Sequence, residues 1–489
     1  MDGEARDSWR SPSNRRSVLQ ARIQAYKLRK RLKKEVRKAR GRNAKNGVLG
    51  RNRYADKLAR GLIVKAKRSK RYDVPLNEIQ TRALVSRYKR STFLSGLLAE
   101  REQTWVPIHE RLRTRKQAEV FVKGFCFLSN PKNTMSALKA IARAEAECLS
   151  ARIHFLDDRC LDIGAWLTLA AMRGEMASVF TGGRISNSMS KVLTAVRLNR
   201  KLGFALSPQY GDEQDVWAFP YRSRRPAGTS TSETMHLDPQ SKEEVGGDLC
   251  EAINQWLDAC VGQQLSRTGM RFVKTIVGES LDNAERHSQR DHVNDGDWLI
   301  SGFMAKREGT NGPLFRCQLA FLSVGASIAE TVQDAAPEVI SGMETYVQRH
   351  VGSFANHDCA EDHLRTIYAL QDKVTRDQNA LAEGRGGTGF RDIICLFGDL
   401  AGGEMSSSDA KIGIISGRTC LHIGYGHTEV SRPLKGQEFN IWLNEQNDAT
   451  KPPDQGAVIE LDDRFCGTLI TLGFTFDPDY LERTVDVDN

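Results

Sequence analysis

Glu279, Asn283 and His287 are spaced by four, so they stack along one side of the helix that carries them and can address a single ligand. A carboxylate and a carboxamide in that arrangement suit phosphate chemistry. Asn283 offers an oxygen to a hard cation, and Glu279 can orient or deprotonate an attacking water. Further along, "GRGGTGFRDIICLFG" sets Gly384, Gly386, Gly387, Thr388 and Gly389 ahead of a helical run that includes Ile393, Ile394, Leu396 and Phe397. Glycines let backbone N–H groups converge on an anion, and the helix N-terminus behind them adds its positive dipole end. Taken alone, Glu279 and Asn283 read more readily as an exposed polar helix face, and a Gly-rich loop by itself is a weak signal.

The elements that must position these residues are legible around them. In "GMRFVKTIVGESLDNAERHS" the residues Phe272, Ile276, Val277, Leu281 and Ala284 form an apolar stripe that packs inward, and "LCEAINQWLDACV" is a helix before it. Two runs follow, "DWLISGFMAKR" and "LFRCQLAFLSVG", whose partial alternation predicts a half-buried antiparallel sheet.

At this point the sequence resembles a known superfamily, the gyrase, chaperone, histidine kinase and MutL (GHKL) ATPases. "ESLDNAERHS" looks like their N-box, which implies Glu279 as general base and Asn283 as a ligand of Mg2+. The strand ending in "SVGASI" aligns with their Asp-x-Gly-x-Gly box. Ser323 stands where an aspartate recognises the adenine amino group, Gly325 matches the first glycine, and Ser327 replaces the second. Serine lacks the acceptor strength of a carboxylate, so adenine affinity is expected to be lower. "GRGGTG" is similar to the second glycine box, "KIGIISGRTCLHI" to the hairpin after it, and "GTLITLGF" to a final strand with Thr468 in the position of a Gly-Thr pair. The resemblance implies ATP and Mg2+ as ligands. Residues 329–383 correspond to the lid that closes over nucleotide, and their mix of charge and helix formers suits a mobile cover.

Upstream, "MSALKAIARAEAECLS" predicts a helix, "ARIHFLD" a short buried strand and "AWLTLAAMR" another helix, an α/β alternation. With "CLDIGAWLTLAAM" and "MSKVLTAVRLNRKLGF" the order resembles STAS-like domains, which carry a comparable turn between strand and helix. In regulatory members of that family a serine after the turn aspartate accepts phosphate. Here Ile163 and Gly164 follow Asp162, which favours a structural or partner-docking role. "PYRSRRPAGTSTSETMHLDPQSKEEVGG" is rich in Pro, Gly, Ser and Thr and reads as a linker.

The expected layout is α+β: a basic arm over 1–84, a STAS-like α/β domain over 85–220, a linker over 221–247 and a GHKL two-layer α/β sandwich over 248–480. Residues 1–100 hold 29 Lys plus Arg against 8 Asp plus Glu, whereas the rest of the chain is net acidic. That asymmetry suggests an anionic partner, and residues 1–72 read either as a nucleic-acid-contacting arm or as a solvated tail. The ten cysteines form no C-x-x-C pair, there is no membrane-length apolar run, and the expected location is cytoplasmic. His350, His357, Asp358, Cys359 and His363 match no standard zinc spacing and read as part of a solvated lid, and His422 and His427 are read the same way. The leading functional expectation is an ATP-hydrolysing switch. The alternatives are a serine kinase of the anti-sigma-factor type acting on a STAS partner, or a GHKL scaffold that has lost nucleotide. A homodimer is a further expectation, since many GHKL proteins dimerise.

Overall fold

The computed structural model describes residues 91–476 and 478, except 107–109, 112–113, 115, 177–178, 225–238, 288–296, 310–311, 375–388, 402–409 and 432–438. The basic residues 1–72 therefore lie outside the described residues.

The first part of the chain alternates as expected. It runs β1 (Gln117–Val122), α1 (Pro131–Glu147), β2 (Ser150–Phe155), α2 (Ile163–Glu175), β3 (Phe180–Arg184) and α3 (Asn187–Ala195). Its strands form a parallel sheet in the order β1-β2-β3. In α1, Met135, Leu138, Ile141 and Ala142 recur at helical spacing and are buried, and Pro131 opens the first turn, where its missing N–H costs nothing. The second part contains β4 (Val216–Arg224), β5 (Pro239–Gln240), α4 (Lys242–Val261), α5 (Arg267–His287), β6 (Asp297–Gly309) and β7 (Gly312–Val324). It continues with α6 (Pro337–His350), α7 (Ala360–Tyr368), α8 (Gly389–Leu400), β8 (Lys411–Gly424) and β9 (Val458–Phe476). Here the sheet order is β5-β4-β6-β7-β9-β8, antiparallel except between β4 and β5. The architecture is α+β.

Two expectations change. The boundary at 220 falls inside β4, and the linker over 221–247 shrinks, because the strand runs to Arg224 and α4 starts at Lys242 behind a Ser241–Glu244 capping box. Richness in Pro, Gly, Ser and Thr made that stretch read as a linker, and its first residue, Pro220, cannot donate to a ladder. The strand accommodates it with a register shift between Phe219 and Arg222, and the Tyr221 N–H turns instead to Val196 O, 2.8 Å away.

The second change concerns the large sheet, which is buried on both faces rather than half-buried. Alternate residues sort cleanly. Ile300, Met304, Leu319, Phe321, Ile414 and Leu472 pack with Ile253 and Trp256 of α4, Ile276 and Leu281 of α5, Val347, Leu364 and Phe397. Leu299, Phe303, Ala320, Leu322, Ile415 and Leu469 pack with Leu138 and Ile141 of α1 and Trp166 and Leu169 of α2. The expected two-layer sandwich therefore gains a further helical layer, contributed by the upstream α/β part.

The contact between the two parts is polar at its centre. Asp162, fully buried, accepts N–H bonds from Phe127 (2.8 Å) and Gly164 (2.7 Å), and Thr471 of β9 donates its hydroxyl to it at 2.6 Å. Gln318 of β7 accepts from the Ile163 N–H at 2.8 Å and donates to Leu161 O at 2.6 Å. His422 of β8 lies 2.9 Å from Phe127 O. The turn singled out upstream thus docks onto this chain's own sheet. Asp162→Ala strips the acceptor from two buried N–H groups and one hydroxyl, and should lower unfolding free energy by about 3 kcal/mol or more in urea titrations. At Gly164 an added Cβ would sit 2.8 Å from Thr471. Gly164→Ala should therefore cost about 1–3 kcal/mol by overpacking.

Candidate functional site

Helix α5 buries Val273, Ile276, Val277, Leu281 and Ala284, so the expected stripe holds except that Val273 is buried and Phe272 is only half-buried. Glu279 and Asn283 are half-buried on the flank of that stripe. His287 ends the helix, with its side chain outside the described residues. The stripe seats α5 against β6, β7 and α8. Lys242 pairs with Asp282, which ties α5 to α4, and Arg224 pairs with Glu285 at 3.2 Å, which ties it to β4. In the N-terminal half of the helix, Arg267, Arg271 and Lys274 line an open groove with Met270 and Thr275.

One row of residues crosses the large sheet at its end. Trp298 of β6 pairs in register with Ser323 of β7, Ser323 with Thr468 of β9, and Thr468 with Ser416 of β8. The row is joined to α5, because the buried Trp298 donates its Nε1–H to Glu285 at 2.8 Å. Glu285 lies two residues beyond Asn283, so the helix bearing Glu279 and Asn283 and the strand ends bearing Ser323 and Thr468 share one support.

The row's hydroxyls are linked to one another. Ser416 Oγ accepts the Ile328 N–H at 2.8 Å, lies 3.1 Å from Gly467 O and 2.9 Å from Thr468 Oγ1. If Ser416 donates to Gly467 O, then Thr468 donates to Ser416 and keeps its lone pairs for a ligand. The bond from Ser323 Oγ to Thr468 O is long, 3.5 Å, and therefore weak. That hydroxyl costs little to re-aim.

Glycines allow the strand ends to meet. Gly325 follows β7 with φ 152°. Gly467 has φ 106°, and a Cβ there would lie 2.0 Å from Ser323 O, so only glycine lets β9 approach β7 this closely. Ser327, in the place of the second expected glycine, is buried, and its N–H and hydroxyl both donate to Glu330, at 2.8 and 2.9 Å. Arg464 pairs with the same carboxylate, which lies below its ordinary pKa despite the opposing effect of burial. Of the Gly-rich loop, Gly384, Gly386, Gly387 and Thr388 lie outside the described residues, while Gly389 begins α8. Ser416 and Glu285 had no sequence signal: each gains its role only from its neighbours across the sheet.

The stretch 329–383, expected as a mobile cover, is helical and packed over much of its length. Met343, Tyr346, Val347, Leu364 and Ile367 enter the main core. His350 is tied to Ala449 O at 2.9 Å, and His427 accepts the Gly424 N–H at 3.2 Å. His363 is fully buried; burial, with His357 and Arg418 nearby, lowers its pKa to about 4, so it is neutral at neutral pH. One ligand atom from each of His357, His363 and Glu460 lies within 4.8 Å of the others. Glu460 was invisible to spacing arguments because it comes from β9.

Among the described residues no helix is long and apolar enough to cross a membrane. Compared with protein-family models, with curated proteins and with solved structures, the chain matches none. Gly467→Ala is expected to push β9 off Ser323 and lower stability by about 2–4 kcal/mol, read as a drop in the thermal midpoint.

Proposed function

We propose that residues 248–480 form a GHKL-type domain that binds ATP with Mg2+ and acts as a conformational switch. The observation that carries this reading is the row Trp298–Ser323–Thr468–Ser416, coupled through Glu285 to the helix of Glu279 and Asn283. Its support lies in the order of elements: N-box-like helix, β6 and β7, Ser323, the helical stretch, the Gly-rich loop opening α8, then β8 and β9 with Thr468.

The donor set suits the ligand. Asn283 and Glu279 offer oxygens from a half-buried position, as a hard cation requires, and Mg2+ held there would neutralise phosphate charge. Thr468 would accept from the adenine amino group while Ser323, released from its long bond, would donate to a ring nitrogen. The N-terminus of α8 at Gly389 would hold phosphate oxygens through the backbone N–H groups of its first turn. Glu279 would orient a water toward the γ-phosphorus and take its proton as the bond to the β-phosphate oxygen breaks, giving ADP and inorganic phosphate. For the output we propose nucleic acid. The arm of residues 1–72 is strongly basic, and Arg267, Arg271 and Lys274 add a second cationic surface.

A second reading, a scaffold without nucleotide, is favoured by one observation: Ser416 already satisfies the Ile328 N–H and contacts Thr468, so this strand end is internally bonded. Calorimetry with Mg-ATP separates the two. The native chain should bind, and Asn283→Ala should weaken binding by about tenfold or more, the equivalent of one charge-assisted contact. Glu279→Ala should keep binding but slow phosphate release by about 10²–10⁴-fold. Absence of heat with both the native chain and Asn283→Ala would favour the scaffold, and transfer of labelled γ-phosphate to protein would favour a kinase. Binding of duplex DNA or RNA should weaken steeply with salt, by about one power of salt concentration per phosphate neutralised; failure to bind either at low salt would remove the nucleic-acid output.

A further inference from the structure

We propose that His357, His363 and Glu460 form a binding site for one divalent transition-metal ion of the Zn2+ class. The site is independent of the nucleotide reading, since it lies on other residues and calls for a softer cation.

The three ligands come from separate elements. His357 sits in the turn after Phe354, whose carbonyl accepts its N–H at 2.8 Å. His363 lies in α7, and its ring meets that of His357 edge to face at 5.2 Å between centroids. Glu460 stands on β9 directly opposite Thr419 of β8. Ligand atoms within 4.8 Å of one another need only side-chain rotation to reach the separations of roughly 3.4 Å that bonds of about 2.0–2.1 Å impose around a tetrahedral ion.

Two features point to a ligand rather than to a packed polar cluster. His363 Nε2 and His357 Nδ1 are both buried without a hydrogen-bond partner, although buried ring nitrogens are ordinarily satisfied. His363 is also oriented as a metal ligand requires. Its Nδ1 lies 2.8 Å from Thr419 Oγ1, and donation there leaves the Nε2 lone pair facing the cluster. The Glu460 carboxylate is held in place by the N–H groups of Asp358 (3.2 Å) and Cys359 (3.1 Å), with lone pairs to spare.

Two imidazoles and one carboxylate select borderline metals such as Zn2+ or Co2+ over Mg2+ and Ca2+, and they leave a fourth position for water. Among the described residues the cation facing the cluster is Arg418, 3.4 Å from Glu460 and 3.8 Å from Asp358. Arg418 therefore competes for the carboxylate and holds the site to moderate affinity. Metal bound here would clamp the turn before α7 to β9.

The test uses the full chain, stripped with a chelator and titrated with Zn2+ by calorimetry and with Co2+ by visible absorption. One equivalent should bind with four-coordinate Co2+ bands. Thr419→Val should weaken binding by about 10–100-fold, and His357→Ala and Glu460→Gln by at least that factor. Arg418→Gln should tighten it. His357 and Glu460 lie at the margin of the core, so their variants are checked for an unchanged circular dichroism spectrum, and Thr419→Val keeps all three ligands. The proposal fails if the stripped native chain takes up no Zn2+ or Co2+. It fails equally if binding is unaltered in His357→Ala, Glu460→Gln and Thr419→Val, which would place the metal on cysteines elsewhere.

Discussion

A buried carboxylate, Asp162, holds the two parts of this protein together. Burial raises its pKa, and the hydroxyl of Thr471 with the N–H groups of Phe127 and Gly164 opposes that rise. An ionisable group fully out of water is tolerable only when such donors surround it. Here they come from a loop of the upstream part, the first turn of α2, and a strand of the large sheet. Satisfying Asp162 therefore requires docking, and the neighbouring bonds from Gln318 and His422 fix the same loop in the same place. The apolar face of Leu299, Phe303, Leu322 and Leu469 is then covered by α1 and α2.

That docking has consequences for the candidate site. A sheet packed on both faces leaves little freedom in its strands, so any rearrangement falls to the strand ends and to the helices outside. The row from Trp298 to Ser416 lies at such an end. Its hydroxyls are linked in a chain whose longest bond is the one from Ser323 to Thr468 O. Glu330 and Arg464 hold Ser327 beside it in the same self-contained way.

Much of the fold was legible in the sequence. The stripe of α5, the strands β6 and β7, the β8 and β9 runs and the α/β alternation upstream all declare themselves through period, because each buries one face against a core. Misreadings arose where a residue's local meaning was overridden. Richness in Pro, Gly, Ser and Thr suggested a linker from Pro220 on, yet β4 runs on to Arg224 through a register shift, with the Tyr221 N–H bonded to the Val196 carbonyl. Alternation in β6 and β7 suggested water on one face, yet another part of the chain covers it.

The sequence by itself determined which elements form and that Glu279 and Asn283 share one helix face, because helical spacing and the clustering of glycines are properties of neighbours along the chain. Only the tertiary structure decided that Glu285 links α5 to Trp298, that Ser416 bonds Thr468, and that Glu460 joins His357 and His363. Those are contacts between side chains far apart in sequence. They depend on strand register and on which faces are buried together, and neither is written in the local pattern of residues.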